Sequence, residues 1–296
     1  MNTEPAAPQP LWQRIWNFPL VAMLAALAVT VAVLATVGFG GEALRGILPR
    51  EIRAPLTVTA AIVALIAVQK LVLRGLGERK HDDLPLAGAV RGLALGALCA
   101  FVLFSLIVGI AALAGVYVIV GWGGLSDWLI LLLTAGVSAG FVEELIFRGI
   151  LFRWIEEFGG SWAALVVTSA LFGLGHIFND NATWFSSFAI AVEAGVMLGG
   201  AYMLTRSLWV PIGLHFGWNI TQGLVWDVPV SGNDVDGLVD ARLVGDPLIS
   251  GGAFGLEASV IALVVASGFG VWLVWRAAKA GEVMQPWWVR RRAAAA

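Results

Sequence analysis

Charge is the scarcest property of this chain. Asp, Glu, Lys and Arg make up 13% of its 296 residues, and 59% are hydrophobic. Ordinary soluble domains carry about 25% charge and about 45–50% apolar residues. A water-soluble globule has no interior large enough for that excess, so the composition excludes one. The net charge of −2 leaves no overall basic field to hold nucleic acid. One cysteine, Cys99, excludes an internal disulfide framework and a cysteine-based zinc site. There are only three histidines, His81, His176 and His215, so where they fall is informative.

What is present in quantity is long apolar runs. About 20 such residues cross about 30 Å of hydrocarbon at about 1.5 Å each. Eight segments qualify, at 18–40, 54–73, 93–120, 129–147, 162–178, 184–204, 209–226 and 253–275. Tryptophans stand at many of their ends, Trp16, Trp122, Trp128, Trp162, Trp184, Trp209, Trp226 and Trp275 among them, as interfacial rings do. The expected fold is an all-α polytopic membrane helix bundle of about eight transmembrane helices. A leader at 1–17 precedes the membrane domain at 18–276, with a catalytic core near 126–226, and a basic tail follows at 277–296. With eight spans, Lys and Arg divide 14 to 4 between the two sides, Arg45, Arg50, Arg53 and Arg242 being the minority. The positive-inside rule then puts both termini in the cytoplasm, with the bilayer, in all expectation the cytoplasmic membrane, as the obligate partner. His81 sits in a charged loop and reads as solvated. The stretch 227–252 holds five aspartates without the twelve-residue calcium pattern, and reads as a flexible acidic loop.

Ionisable groups at membrane depth are costly and default to function or pairing. They gather in spans four to seven. Glu143 and Glu144 are adjacent in a long helix expected to start at a Ser126 cap. Residues one apart lie about 100° round a helix, so the two carboxyls should face different places. Glu144 and Arg148, four apart, can pair and leave Glu143 free. Span five carries Phe172 and His176, and the turn at Gly159-Gly160 puts His176 at the depth of Glu143 if both helices are continuous. Span seven carries His215 and Asn219 on one face, bracketed by Gly213 and Gly217, a spacing that admits a neighbouring helix. A Glu and a His sharing a water can act as general base. A second His and an Asn amide can donate to an oxyanion. Together they describe peptide hydrolysis without a covalent intermediate.

Other protease chemistries lack their motifs. There is no His-Glu-x-x-His and no Gly-x-Gly-Asp. Gly136-Val137-Ser138-Ala139-Gly140 matches Gly-x-Ser-x-Gly, which needs a strand-to-helix elbow; within a helix it reads as a packing face. Glu193, in mid-span six, reads as a buried carboxyl bonded to a neighbouring helix.

The succession Glu143-Glu144-x-x-x-Arg148, Phe172-x-x-x-His176 and His215-x-x-x-Asn219 resembles the CAAX-protease and bacteriocin-processing family of intramembrane endopeptidases, in particular the type II CAAX-processing endopeptidases. The resemblance covers roughly 129–226. It implies a water activated by Glu143 and His176, an oxyanion held by His215 and Asn219, and Glu144, Arg148 and Phe172 in support. The substrate it implies is a membrane-associated protein or peptide. It leaves metal dependence open, because Glu143, His176 and His215 could hold a divalent ion such as zinc with one open position. A non-catalytic membrane scaffold, or a bacteriocin-immunity-type partner, is the alternative. A proton-coupled transporter would call for broken helices or an internal repeat, and the sequence has neither.

Overall fold

The computed structural model describes residues 10–78 and 80–295. Expectations that touch the first nine residues of the leader, Arg79 or Ala296 lie outside the described residues. A short helix, α1 (Leu11–Asn17), leads into α2 (Pro19–Ala43), α3 (Arg50–Leu71) and α4 (Ala89–Leu113). After strand β1 (Tyr117–Trp122) come α5 (Trp128–Gly159), α6 (Ser161–Phe178) and α7 (Trp184–Thr205). Helix α8 begins at Trp209 and continues without a break to Val225. Strand β2 (Val239–Leu243), α9 (Val260–Lys279) and α10 (Trp287–Ala295) complete the described chain.

Among the described residues, seven helices (α2 to α7 and α9) are long and apolar enough to span a membrane. The remaining expected span corresponds to α8, whose α-helical part, Trp209–Ile220, extends through a π-helical turn at Thr221–Val225. It is shorter than the others and packs inside the bundle. Its glycines explain how: a Cβ on Gly217 would lie 2.6 Å from the Ala97 Cα, and one on Gly213 would strike the Leu93 carbonyl. Helix α4 therefore lies directly against α8, backbone to backbone, with Gly96 making the reciprocal approach. Gly136 and Gly140 of α5 contact α8 from its other flank, at Ile220 and Phe216.

Two boundaries fall seven residues short of the sequence expectation. The third span stops at Leu113 rather than 120, because Gly115 takes a positive φ of 74° and turns the chain. The β-branched run that follows becomes β1, which pairs antiparallel with β2 from Tyr117↔Leu243 to Trp122↔Val239. The last span begins at Val260, behind short 3₁₀ turns, rather than at 253.

The acidic connection 227–252 is built rather than open. Asp227 accepts hydrogen bonds from the N–H groups of Gly237 (2.8 Å) and Ala241 (2.9 Å). Asp236 accepts from Gly124 and Ser126 (both 2.8 Å), tying this loop to the start of α5. Asp246 caps the single turn Pro247–Ser250. Ser126 is thus occupied by Asp236, and Asp127, with φ of 54°, is the residue that precedes α5, so the expected Ser126 cap is not formed.

At the opposite end of the bundle a polar layer joins four elements. Asp83 accepts from Gln69 (3.0 Å), Arg153 (2.9 Å) and Tyr202 (2.6 Å). Arg206 pairs with Glu156 (2.6 Å) and Glu282 (3.0 Å). His81, half-exposed, donates to the Arg206 carbonyl at 2.9 Å.

Candidate active site

The four helices α5 to α8 each change winding near the residues singled out by the sequence. Helix α6 tightens into a 3₁₀ turn over His176–Phe178. The other three widen. Helix α5 is π-helical over Leu132–Ser138 and again over Leu145–Phe152, on either side of the α-helical stretch Ala139–Glu144. Helix α7 is π-helical over Ala191–Gly195, and α8 over Thr221–Val225. Such wide turns are frequent at functional sites, since they free carbonyls and re-aim side chains. One freed group is used directly: the Asn219 amide donates to the Ala135 carbonyl at 2.8 Å.

Glu144 and Arg148 form the expected pair, 2.7 Å apart, with both side chains fully buried. Arg148 also reaches the carbonyls of Ala194 (3.4 Å) and Gly195 (3.3 Å) in α7. Its guanidinium carbon lies 4.7 Å from the centre of the Phe172 ring in α6. Phe172 in turn packs edge-on to Phe147 (5.0 Å) and against both His176 (4.8 Å) and His215 (6.0 Å). Arg148 and Phe172 are therefore where α5, α6 and α7 are locked together, and Glu144 extends the lock to α8.

It does so through His215, whose Nδ1–H donates to Glu144 at 2.9 Å. That bond sets the tautomer and turns Nε2 toward Glu143, 4.0 Å away. Both glutamates thus address one imidazole, from its two nitrogens. This differs from the expectation that adjacent carboxyls face different places. The 100° between them is real, but an imidazole edge is wide enough to be met from both sides. His176, at the end of α6, donates its Nδ1–H to the Phe172 carbonyl at 2.7 Å, so Nε2 is the nitrogen left to accept.

Glu143, His176, His215 and Asn219 all line one cavity of about 670 Å³. Its volume is that of a small-ligand or peptide-side-chain site. The mouth lies at the end of the bundle formed by Arg50, Asp127 and the 230–236 segment. Glu143 is the accessible carboxylate, its side chain 35% exposed, whereas Glu144 is sealed. Ser138 is not among the residues lining this space. Glu193 is buried in α7 with Oε2 unbonded among the described residues, and it does not line the cavity either.

The sequence reading missed one acid. Glu257, immediately before α9, is buried and accepts a hydrogen bond from the Ser231 N–H. It lines a second, water-sized space with His176 and His215. The membrane-depth rule that drew attention to Glu193 would have found it too, since the expected span 253–275 contains it.

Among the described residues no group of three His, Cys, Asp or Glu side chains is placed to hold a metal ion. Glu143, His176 and His215 therefore do not fit as a ligand set in this arrangement, and the chemistry derived below uses side chains and water.

Residues 125–221, about a third of the chain, match the family model described as type II CAAX prenyl endopeptidase Rce1-like. No curated protein matches the chain. No solved structure does either.

Proposed function

We propose that this chain, with seven membrane-length helices and a segment that matches the type II CAAX prenyl endopeptidase Rce1-like model, cleaves a peptide bond of a membrane-associated protein or peptide with a water activated by side chains. The observation that carries the reading is the convergence of Glu143, His176, His215 and Asn219, from three helices, on one cavity behind a buried buttress.

A water held between the Glu143 carboxylate and Nε2 of His176 gives up its proton to that pair. The hydroxide attacks the carbonyl carbon of the scissile bond, and the carbonyl oxygen takes the negative charge. Asn219 has one amide hydrogen tied to Ala135 and a second to offer to that oxygen. His215, as imidazolium, donates Nε2–H to the same oxygen while Glu144 holds Nδ1–H. The proton held by Glu143 and His176 then passes to the leaving nitrogen as the C–N bond breaks. Arg148 neutralises Glu144 in the low-dielectric core, so the imidazole is oriented without an unpaired buried charge.

The positive-inside distribution puts the cavity mouth, with Arg50 and the 230–236 segment, on the face away from the cytoplasm. Substrate would then enter from the outer leaflet or beyond it. The test is the purified chain in detergent with a quenched-fluorescent peptide library, with and without a chelator. Cleavage insensitive to the chelator and reduced at least about 10²-fold by Glu143→Gln is expected, that being the lower range for a positioned general base. A folded Glu143→Gln protein that cleaves at the wild-type rate would remove Glu143 as the base, and a folded wild type that cleaves no peptide would leave the scaffold reading in its place.

A further inference from the structure

A second space of about 20 Å³, large enough for a single water, shares His176, His215, Asn219 and Ser231 with the main cavity. His176 and Glu257 both line it, as do His215 and Ser231. Glu257 lies beyond the family-matched segment, on the turn that introduces α9. Nothing in the motif set anticipates a third carboxyl there.

The surroundings of Glu257 are built around it. Its carboxylate accepts the Ser231 N–H and lies in hydrogen-bonding contact with the Gln222 amide, which also donates to the Pro229 carbonyl at 2.5 Å. Ser231 has a positive φ of 50°, and its carbonyl is held by Asn179 at 3.2 Å. The Gly232 carbonyl is held by Asn181 at 3.1 Å. Residues 229–232 are thus pinned from α8, from the 179–181 turn and from Glu257, and Ser231 so pinned forms wall in both the large cavity and the small one. The charged groups acting on Glu257 are His176 and, from α7, Glu193. Burial pushes the Glu257 carboxyl up from its ordinary range, and Ser231, His176 and Gln222 pull it back.

We infer that Glu257 is a positioning residue for His176: it fixes the Ser231 wall and, across the small space they share, sets a carboxylate near the imidazole that favours positive charge on His176 during water activation. The inference rests on the proposed hydrolytic reading for its catalytic consequence, and on geometry alone for the His176–Glu257 juxtaposition.

Glu257→Gln separates the two contributions. The amide oxygen still accepts the Ser231 N–H and so keeps the wall, while the charge beside His176 is removed. With only three histidines in the chain, imidazole nitrogen NMR signals are resolvable and can be assigned with His81→Asn and His176→Asn. At one fixed pH, Glu257→Gln should move the His176 signals, lower kcat about tenfold or more, and leave KM within about threefold, the loss being that of one charge-assisted contact. Glu257→Asp, which keeps a carboxylate on the same small space, should recover part of kcat and return the His176 signals toward wild type. If Glu257→Gln does not fold, the Asp variant carries the test by the size of its His176 displacement. His176 signals unmoved in a folded Glu257→Gln protein, or unmoved in Glu257→Asp where that is the only variant to fold, would overturn the inference whatever the cleavage assay reads. A loss confined to KM would also overturn it, by reducing Glu257 to a pin for the wall. Failure of the hydrolytic reading is reported separately, by a wild-type chain that cleaves no peptide while the His176 signals still respond to residue 257.

Discussion

Replacing Glu144 by Gln should destabilise the chain by about 3–5 kcal/mol, the cost of removing one partner from a buried ion pair. Both members are fully buried, and apart from Glu144 the Arg148 guanidinium has only two long contacts to oxygens of the described residues, at 3.3 and 3.4 Å. Stacking on Phe172 compensates little, since a cation over a ring is worth about 0.5–2 kcal/mol and is already present in the wild type. At about 2–4 °C per kcal/mol for chains of some 150–250 residues, the transition should fall on the order of 10 °C. Adding Arg148→Met removes the orphaned charge, while the amide oxygen that Glu144→Gln leaves in place can still accept the His215 Nδ1–H. The double variant should therefore recover most of the loss, a strong departure from additivity. The assay is thermal unfolding in detergent for the wild type, Glu144→Gln, Arg148→Met and the pair. A Glu144→Gln protein within about 1 kcal/mol of wild type, or a double variant lower than either single, would refute the reasoning.

Asn219→Ala should lower cleavage about 10²–10³-fold if its free amide hydrogen serves the oxyanion; a folded variant with near-wild-type kcat would remove Asn219 from that role. Gly96→Ala should cost about 1–3 kcal/mol by overpacking, since a Cβ there would meet the Leu214 nitrogen at 2.6 Å, and a gain in thermal stability would contradict the close α4–α8 contact. Reporters fused at Ser231 and at the C-terminus should read opposite sides of the membrane; the same side for both would refute an even number of crossings. Asp236 is held below its ordinary range, first by the Ser126 hydroxyl and then by the Ser126 and Gly124 N–H groups. Its contribution is therefore complete above pH 3.8, the ordinary value, and is lost as pH falls through the lowered one; in acid titration, wild type should exceed Asp236→Asn by a constant margin above that pH, and the margin should close only below it.

Much of this arrangement can be read before any coordinates are known, because hydrophobic runs and i,i+4 spacings are properties of the chain itself. The spans, the Glu144–Arg148 pair and the small-residue face at Gly213 and Gly217 are of that kind. Other features depend on which hydrogen bonds win locally. Gly115 turns the chain and a β-branched run finds β2, so a continuous apolar stretch ends as a strand. The four π-helical turns change the rotation per residue, so face arithmetic from an ideal helix loses accuracy where the polar residues lie. Asp227 and Asp236 look like surface charge in sequence and act as caps, because their partners are backbone groups that composition does not reveal. Glu257 was legible as an acid in an apolar stretch; its approach to His176 was not, since more than 80 positions separate them along the chain.

The contact of α8 with α4 and the pinning of residues 229–232 bear on how such a protein could be re-engineered or could diversify. The family-matched stretch, 125–221, ends just before Gln222, and the cavity it lines is closed by chain on both sides of it. A transplant limited to that stretch would arrive without its roof and without the glycine-faced helix against which α8 seats. An exchangeable unit that keeps the cavity lining whole runs from Arg50 to Glu257. Swaps between relatives that respect those limits should keep the cavity intact, and the 230–236 segment inside them is the part of its lining to vary in testing the proposed reading.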